Sequence, residues 1–391
     1  MVTCRPLQDK PDNRMPEPLK NLYSPALIEK MGNHLKRVSP GFDKAMFVDK
    51  ASTGLDVLEL KERAAQIRIA LDACLPSDLE RAIEIMLASL YPEDNVELSD
   101  VGMDDKGIRG WAVMPMSDLV GLRCNEAFDA ALNAQKEMTK RFSSEFGIRH
   151  LILADQDRAM AAITKWADDD NYHVRRLASE GTRPRLPWAM KLPAFIADPS
   201  PSLPILEKLK NDPTEYVRRS VANHLNDIAK DNADTTAGIC AQWMENATPH
   251  RKKLIRHALR TLIKQGHPVA LETLGFGEAE IELSSLNIRT PVVQFGEALE
   301  FEGVIRSTAD RKQQLAIDFI VHWRKANGDT APKVFKLKTL TLGPGEHVSI
   351  QKRHPIRPIT TRKYYPGPQA VELQVNGKPC GRHDFELVME N

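Results

Sequence analysis

A Val-Arg-Arg triplet occurs twice in this chain, at residues 174–176 and again 43 residues later at 217–219. Each triplet follows an acidic turn and opens a segment rich in Ala, Val and Leu with helical spacing. A weaker third copy, rich in Arg and Lys, begins at Pro249. Recurrence near 40 residues with paired helices is typical of HEAT-type repeats, which stack into a curved solenoid with a concave face. The sequence therefore predicts a helical repeat region.

The helical pattern extends well beyond the three copies, from Leu19 to about Gly277. Apolar residues recur at helical spacing in residues 55–71, 79–90 and 126–142. Turns that contain Pro and Asp separate these segments, as expected at helix ends. We therefore predict an all-α region over residues 19–277, preceded by a flexible lead over residues 1–18.

The pattern changes after Gly277. Short runs of alternating apolar and polar residues follow, with turn signals such as Asn327-Gly328-Asp329 between them. Seven such runs in about 110 residues are typical of an immunoglobulin-like β-sandwich. We expect strands at residues 281–288, 298–306, 315–323, 334–340, 348–354, 370–375 and 384–389. The predicted fold class is thus multidomain, an all-α HEAT-like solenoid over 19–277 followed by an all-β sandwich over 281–391.

Charge is distributed unevenly along the chain. The net charge is +1, yet residues 141–264 hold 20 Lys and Arg against 15 Asp and Glu, and residues 281–391 hold 16 against 12. Basic faces on a near-neutral protein fit a polyanionic partner. The five cysteines are scattered without a Cys-x-x-Cys pair, which favours reduced thiols over a zinc site.

The sequence also indicates where such a protein works. It has no apolar run near 18 residues and no N-terminus of the secretion-signal type. We expect a cytoplasmic, nucleoid-associated monomer that uses no metal or cofactor and does not contact a membrane.

Cationic residues recur at matching places in the three copies. Matching places in a solenoid lie in a line, and a line of cations along a concave groove would follow a phosphate backbone. The alternative is a solvated helix face with salt bridges between residues four apart. The candidate DNA-binding residues are Arg175, Arg176, Arg218, Arg219, Asn223, Lys252, Lys253, Arg256 and Arg260.

Residues 179–188 follow the first repeat helix directly. This segment holds Glu180, Trp188 and two further DNA-binding candidates, Arg183 and Arg185, beside prolines. A carboxylate among arginines and an aromatic ring suits a site that binds a polyanion and stabilises a cation within it. The alternatives are a structural bond from Glu180 to Arg183 or Arg185, and a position in the core for Trp188.

Two other carboxylates lie near the repeats. Asp227 is on the helix that the second Val-Arg-Arg triplet opens, where a salt bridge to a repeat arginine is the alternative. Glu145 lies in residues 142–149, close to a predicted helix N-terminus, where a carboxylate is also favourable as a cap.

Two strings, VRRLASEGTRPRLPW at 174–188 and VRRSVANHLND at 217–227, resemble the AlkC branch of the AlkC/AlkD DNA alkylation-repair glycosylases. The resemblance covers most of residues 19–275, and the added sandwich resembles the larger AlkC subtype. It implies base excision repair, in which the enzyme hydrolyses the N-glycosidic bond of bases alkylated on ring nitrogens in duplex DNA. The implied substrates are 3-methyladenine, 3-methylcytosine and 1-methyladenine. The implied catalytic residues are Glu145, Glu180, Trp188 and Asp227.

One position departs from the AlkD branch. That branch carries an Asp in a helix segment that aligns with residues 117–121, and Gly121 falls where the Asp would be. The resemblance then implies that Glu180 or Asp227 supplies the carboxylate. It also implies that the enzyme holds and bends the duplex instead of flipping the base. The rival function is a non-enzymatic HEAT-repeat scaffold that binds DNA or protein, because a fold alone does not fix a function.

Overall fold

The computed structural model describes residues 18–92, 103–359 and 362–389. The predicted flexible lead over residues 1–18 falls outside these ranges, apart from Pro18. Within them, α-helices and short 3-10 turns occupy the first part of the chain and β-strands the second. The predicted order of an all-α region followed by an all-β region is confirmed.

Sixteen α-helices occupy the described part of the chain up to Thr273: α1 Pro25–Val38, α2 Lys44–Ser52, α3 Leu60–Cys74, α4 Leu79–Ala88, α5 Val113–Leu122, α6 Phe128–Thr139, α7 Gly147–Ala154, α8 Gln156–Trp166, α9 Tyr172–Glu180, α10 Pro193–Ala197, α11 Leu203–Leu209, α12 Glu215–Ile228, α13 Ala233–Met244, α14 Pro249–Ala258, α15 Arg260–Gln265 and α16 Pro268–Thr273. Short 3-10 turns lie at Leu19–Leu22, Leu55–Val57, Gly110–Ala112, Cys124–Glu126 and Ser200–Ser202. Helices that are adjacent in sequence pack together, as α2 does with α3 and α7 with α8.

Each of the three repeat helices, α9, α12 and α14, begins after a turn that a short polar side chain stabilises. Asp169 before α9 and Asp212 before α12 each accept a hydrogen bond from the backbone N–H two residues on, at 2.9 and 2.8 Å, and Asn171 then caps α9. Thr248 before α14 accepts one from the N–H three residues on, at 3.3 Å. Short polar side chains here satisfy backbone donors that the helix leaves unpaired. The repeated acidic or polar turn in the sequence is therefore a repeated helix start.

The helix predicted at residues 55–71 begins later than expected. Leu55–Val57 is a separate 3-10 turn, and α3 begins at Leu60. Glu59 and Glu62 form a capping box, in which the backbone N–H of Glu59 donates to Glu62 Oε2 at 2.8 Å. The cap sets the helix start and overrides the apolar spacing further upstream.

The second part of the chain forms two sheets. Its strands are β1 Ile281–Ile288, β2 Val292–Gln294, β3 Ala298–Ser307, β4 Gln313–Arg324, β5 Thr330–Leu342, β6 His347–Pro355, β7 Gly367–Val375 and β8 Lys378–Val388. One sheet has the order β1-β3-β6, and the other the order β2-β8-β7-β4-β5. All seven predicted strands are present. The additional one, β2, is three residues long and pairs in parallel with β8, so it is too short to produce an alternating pattern.

The side chains that alternate inward from the two sheets form one apolar core. Phe301 and Ile305 on β3 are at most 1% exposed, as are Phe319 and Val321 on β4. The rings of Phe301 and Phe319 lie 5.3 Å apart at 59°, the tilted geometry that aromatic pairs favour. Interdigitation of inner faces is what stabilises such sandwiches.

A histidine is packed among the rings at the edge of this core. The ring of His354 on β6 lies 4.5 Å from that of Phe335 and 5.4 Å from that of Phe319. Burial lowers the pKa of His354 to about 4, and the charges of Lys352 and Arg362 contribute to the shift. The folded protein therefore holds this imidazole neutral.

The sandwich is expected to lose stability in mild acid because of His354. Its folded pKa lies below the ordinary value, so the unfolded chain takes up the proton first as the pH falls. The contribution of His354 to the free energy of unfolding is present above about pH 6.5 and is lost as the pH falls toward its folded pKa. Between pH 7 and about pH 4.5 this loss amounts to roughly 2 kcal/mol. Denaturant titrations at both pH values should show a smaller loss in His354→Gln. An equal loss in the two proteins would contradict the assignment.

The chain divides into two compact units by its internal contacts. The first contains the described residues up to Phe195 together with Ser200–Leu209, and the second contains Ile196–Pro199 and the described residues from Lys210 onward. Helices α12 to α16 thus belong to the same compact unit as the sandwich. The separate domains predicted at 19–277 and 281–391 stay a prediction.

Within the second unit, two glycines bring the sandwich against α15. Gly266 follows α15 with φ 74°, and Gly377 lies in the turn between β7 and β8 with φ 79°. A Cβ on Gly377 would lie 2.1 Å from the Cα of Gly266, so neither position has room for a side chain. Gln374 reinforces the contact, because its Nε2 donates to the carbonyl of Lys264 at 2.9 Å. The turn is therefore anchored on the end of α15.

The variant Gly377→Ala is expected to lower the free energy of unfolding by roughly 2–4 kcal/mol, because the left-handed backbone and the overlap with Gly266 both oppose a Cβ. Gly328 is a matched control: its φ is +86° but a Cβ there would meet nothing within 4 Å. Gly328→Ala should cost only about 1 kcal/mol. Equal losses by denaturant titration would show that the contact contributes nothing.

Candidate active site and DNA-binding surface

Four charged side chains meet at the C-terminal end of α9, and we call Glu145, Arg176, Glu180 and Arg183 the carboxylate cluster. Oε1 of Glu180 accepts from Arg183 Nη1 at 2.6 Å and lies 3.3 Å from Arg176 Nη2. Arg176 also donates to Oε2 of Glu145 at 2.5 Å. One guanidinium thus joins two of the predicted catalytic carboxylates. The bond from Glu180 to Arg183, which was the structural alternative, is present as well.

The carboxylate cluster is largely removed from water. The side chains of Glu180 and Arg183 are each 7% exposed, and those of Arg176 and Glu145 are 13% and 17% exposed. Buried charges are tolerated only when they are paired, and removal of one partner costs about 3–5 kcal/mol. The cluster therefore fixes two carboxylates in place before any ligand binds, which is what electrostatic stabilisation of a transition state requires.

Glu145 does not cap α7. The helix begins at Gly147 with Phe146 at its N-cap position, and no side-chain cap is present there. Oε2 of Glu145 accepts instead from Ser143 Oγ at 2.8 Å and from Arg176. The side chain of Glu145 is thus oriented toward Arg176 in the carboxylate cluster.

The loop after α9 is held by a buried arginine. Arg149, on α7, is 0% exposed. Its guanidinium donates to the carbonyls of Gly181, Arg183 and Met190 at 3.0, 2.7 and 2.8 Å. One side chain thereby fixes both ends of the segment that carries Trp188. No local pattern in the sequence indicates this role, because the partners lie 32 to 41 residues away.

Trp188 lies at the surface and not in the core. Its side chain belongs to the exposed hydrophobic residues, at 58% exposed, and its φ is 65°. A bulky residue with positive φ is a genuine outlier, and such outliers concentrate at functional sites. The structural alternative for Trp188, a core position, does not apply.

The glycine at position 121 is explained by the close packing of α5 against α7. Gly121 on α5 faces the first turn of α7, and a Cβ at Gly121 would lie 2.5 Å from the carbonyl oxygen of Gly147. A Cβ at Gly147 would in turn lie 2.3 Å from Ser117 Oγ. The close approach of α5 and α7 leaves no room for a carboxylate at residue 121. It also sets the start of α7, two residues after Glu145.

Asp227 lies in the second unit, in the last turn of α12. It is 2% exposed, and Oδ1 accepts from Lys230 Nζ at 2.8 Å. Lys230 is 42% exposed, so the pair connects a buried carboxylate to the surface. The predicted alternative was a salt bridge to a repeat arginine, whereas this ion pair is with a lysine three residues on.

The predicted cations of the second and third copies, apart from Lys252, line one cleft, which we call the cationic cleft. It lies between α12 and α14 within the second unit, has a volume of about 330 Å³, and is lined by Glu215, Arg218, Arg219, Ala222, His250, Lys253, Leu254, Arg256, His257 and Arg260. Glu215 pairs with Lys253 at 2.8 Å and with Arg219 at 3.2 Å, and these partners lower its pKa. Positive charge dominates the lining, as a phosphate-binding surface requires.

Two further DNA-binding candidates of the second unit, Asn223 and Lys252, lie beside the cationic cleft. Asn223 Oδ1 accepts from Arg260 Nη2 at 3.1 Å and lies 2.9 Å from His257 Nε2. Burial lowers the pKa of His257, and Arg260 and Arg219 lower it further. Lys252 is exposed on α14 but does not line the cleft.

The first arginine of each copy has a structural contact. Arg175 Nη1 donates to the carbonyls of Asp169 and Asp170, both at 2.9 Å, and Arg218 donates to the carbonyl of Asp212. Arg251 makes the same contact in the third copy, to the carbonyls five and six residues earlier. These bonds stabilise the turn before each repeat helix, and they identify Arg251 as the third equivalent. Arg185, in the loop after α9, is half-buried.

The described residues contain no group of three or more His, Cys, Asp or Glu side chains that would hold a metal ion. None of the helices in the described ranges has the length and apolar content needed to cross a membrane.

Three comparisons place the chain among known proteins. A sequence family described as "Uncharacterised protein YhaZ, C-terminal Ig-like domain" matches residues 282–389. Uncharacterized protein YhaZ of Bacillus subtilis strain 168 is 35% identical over 371 residues, which cover 94% of this chain and 99% of that protein. The structure of Pseudomonas fluorescens alkylpurine DNA glycosylase AlkC, bound to DNA containing an abasic site analog, matches with a TM-score of 0.85. It is 37% identical and covers 95% of this chain and 99% of that chain. The chain belongs to the AlkC family.

Membership of the AlkC family confirms the resemblance on which the residue assignments were based. The sandwich matches an Ig-like family over nearly all of its strands, so the predicted fold class is confirmed. The roles assigned to individual side chains in this AlkC relative stay predictions.

Proposed function

We propose that this DNA glycosylase of the AlkC family hydrolyses the N-glycosidic bond of cationic, N-alkylated bases in duplex DNA. The substrates we expect are 3-methyladenine, 3-methylcytosine and 1-methyladenine. The observation that carries the proposal is the carboxylate cluster, in which Arg176 joins Glu145 and Glu180 in a chain 37% identical to AlkC.

Hydrolysis of the N-glycosidic bond requires negative charge near the sugar. Alkylation of a ring nitrogen makes the base cationic, so the base is already a good leaving group. Its departure leaves positive charge on the deoxyribose, as in the oxocarbenium-like state of glycoside hydrolysis. Fixed carboxylates stabilise that charge, and a carboxylate can also orient the attacking water as a general base.

The proposed roles follow from the surroundings of each residue. Glu180 and Glu145 are the preorganised carboxylates of the first unit, with Arg176 and Arg183 holding them. Asp227, a buried carboxylate of the second unit, is proposed as a further catalytic residue. Trp188 presents an exposed indole that would attract the cationic base or sugar by about 0.5–2 kcal/mol.

No general acid is needed in this reaction, because an alkylated cationic base leaves as a neutral molecule. The mechanism therefore differs from that of glycosidases, in which a carboxylic acid protonates the leaving group. It also uses no cofactor, since water is the only other reactant.

Binding is proposed to rest on the duplex backbone. The cationic cleft offers Arg219, Lys253 and Arg256 to phosphates, and phosphate contacts position a protein without reading sequence. In the sandwich, the cations at Arg311-Lys312, Lys352-Arg353 and Arg362-Lys363 are further candidates. We propose that the backbone is held and the duplex bent, without a flipped base.

The test is a search for released bases. Duplex DNA treated with a methylating agent is incubated with the protein, and free bases are identified by mass spectrometry. We expect free 3-methyladenine, and the relative rates would rank it against 3-methylcytosine and 1-methyladenine. Binding of the duplex without any released base would instead support the scaffold function and refute this proposal.

A further inference from the structure

The turn that carries Trp188 uses an unfavourable residue at its tightest position. Ala189 N donates to the carbonyl of Leu186 at 3.3 Å, which closes a four-residue turn with Pro187 second and Trp188 third. Pro at the second position and positive φ at the third are features of a type II turn, which favours Gly or Asn there. A tryptophan with φ 65° is strained in such a place.

The exposure of the turn is uneven. Leu186 is 4% exposed and anchors the turn in the core, while the indole of Trp188 is 58% exposed. The first residue of the turn is thus fixed in the core, while the aromatic ring of the third is exposed to solvent. Positions where local preference is broken without burial of the side chain concentrate at functional sites.

A lysine from a distant helix holds this turn. Lys61, the second residue of α3, donates from Nζ to the backbone carbonyl of Trp188. The two residues are 127 positions apart, and both lie in the first compact unit. Lys61 is exposed, so it contributes little to the core. Its contact is to the peptide group at the strained residue itself.

We propose that Lys61 is a positioning residue that fixes the orientation of the Trp188 indole for catalysis. Arg149 holds the ends of the loop, and Lys61 holds its tip at the carbonyl of Trp188, the residue with positive φ. Without the ammonium group, the tip relaxes toward backbone conformations that Trp prefers, and the ring leaves its catalytic orientation. The inference depends on the proposed function, because the ring acts there on a cationic base or sugar.

The test is a double-mutant cycle on Lys61 and Trp188. Lys61→Met, which keeps the length of the side chain, should lower the single-turnover rate of 3-methyladenine release about tenfold, with duplex affinity nearly unchanged. In the Trp188→Ala background the same change should lower the rate less than twofold. Lys50→Met removes one positive charge from the exposed end of α2 and should leave the rate unchanged.

Additive losses would overturn the proposal, because Lys61 would then act independently of Trp188. A shallower dependence of binding on salt in Lys61→Met would overturn it too, since Lys61 would be a phosphate contact. A readout without catalysis keeps this proposal separate from the proposed function. Chymotrypsin should cleave after Trp188 faster in Lys61→Met than in the wild type or Lys50→Met. Equal cleavage would contradict the positioning role even if the wild type released no base.

Discussion

Glu180→Gln is expected to lower the single-turnover rate of base release by at least tenfold, and by about 100-fold if Glu180 is the main stabiliser of the sugar cation. The substitution keeps the shape of the side chain but removes its charge. Affinity for the duplex should stay within about twofold, because Glu180 is buried and faces Arg176 and Arg183. Binding by fluorescence anisotropy and release by quenched-flow sampling give the two quantities separately.

The position of Glu180 makes a stability control essential. Gln at residue 180 removes the carboxylate that pairs with the buried guanidinium of Arg183 and leaves Arg176 paired with Glu145, and the loss of a buried partner costs about 3–5 kcal/mol of unfolding free energy. The double variant Glu180→Gln/Arg183→Met removes both partners and should recover much of that stability while release stays slow. Glu80→Gln, an exposed carboxylate in the first turn of α4, is the control for charge. Recovery of release along with stability would show that Glu180 is structural.

The double variant Arg219→Ala/Arg256→Ala is expected to weaken binding of undamaged and alkylated duplex equally, by about 100-fold at low salt. Both side chains line the cationic cleft and are exposed, so the fold should tolerate their loss. Each lost phosphate contact should reduce the slope of log affinity against log salt by about one. A titration across salt concentrations therefore counts the contacts directly.

A second pair of variants separates this effect from net charge. Lys50→Ala/Lys333→Ala removes the same charge from exposed positions on α2 and β5, outside the cleft. It should change affinity by less than about threefold and leave the salt slope as in the wild type. Equal losses in the two double variants would mean that duplex binding depends on overall charge and that the cleft is not the binding surface.

Local signals in the sequence predicted the elements well. The two Val-Arg-Arg triplets and the weaker third copy predicted three helix starts, because the first arginine of each copy donates to carbonyls of the turn before its helix. Alternating apolar residues predicted seven strands. The strand at Val292–Gln294 was missed, since three residues paired in parallel with β8 carry no periodicity.

The sequence could not predict which side chains meet. Arg176 contacts both Glu145 and Glu180, and Glu145 lies 31 residues from Arg176 in the sequence. The buried guanidinium of Arg149 likewise binds carbonyls that are distant in the sequence. Such contacts follow from helix packing, which one sequence does not specify. The close approach of Gly121 and Gly147 is similar, because a lone Gly in a helical pattern does not identify its neighbour.

In the proposed mechanism, buried carboxylates assist the loss of a base that is already cationic, without a general acid. Two lesions in one duplex context test this mechanism. Single-turnover release of 3-methyladenine, which is cationic, is measured against release of hypoxanthine, which is neutral, from duplexes of otherwise identical sequence. We predict rapid release of 3-methyladenine and release of hypoxanthine at least about 100-fold slower. Comparable rates for the two bases would contradict the account, because an enzyme that releases both must protonate the neutral one.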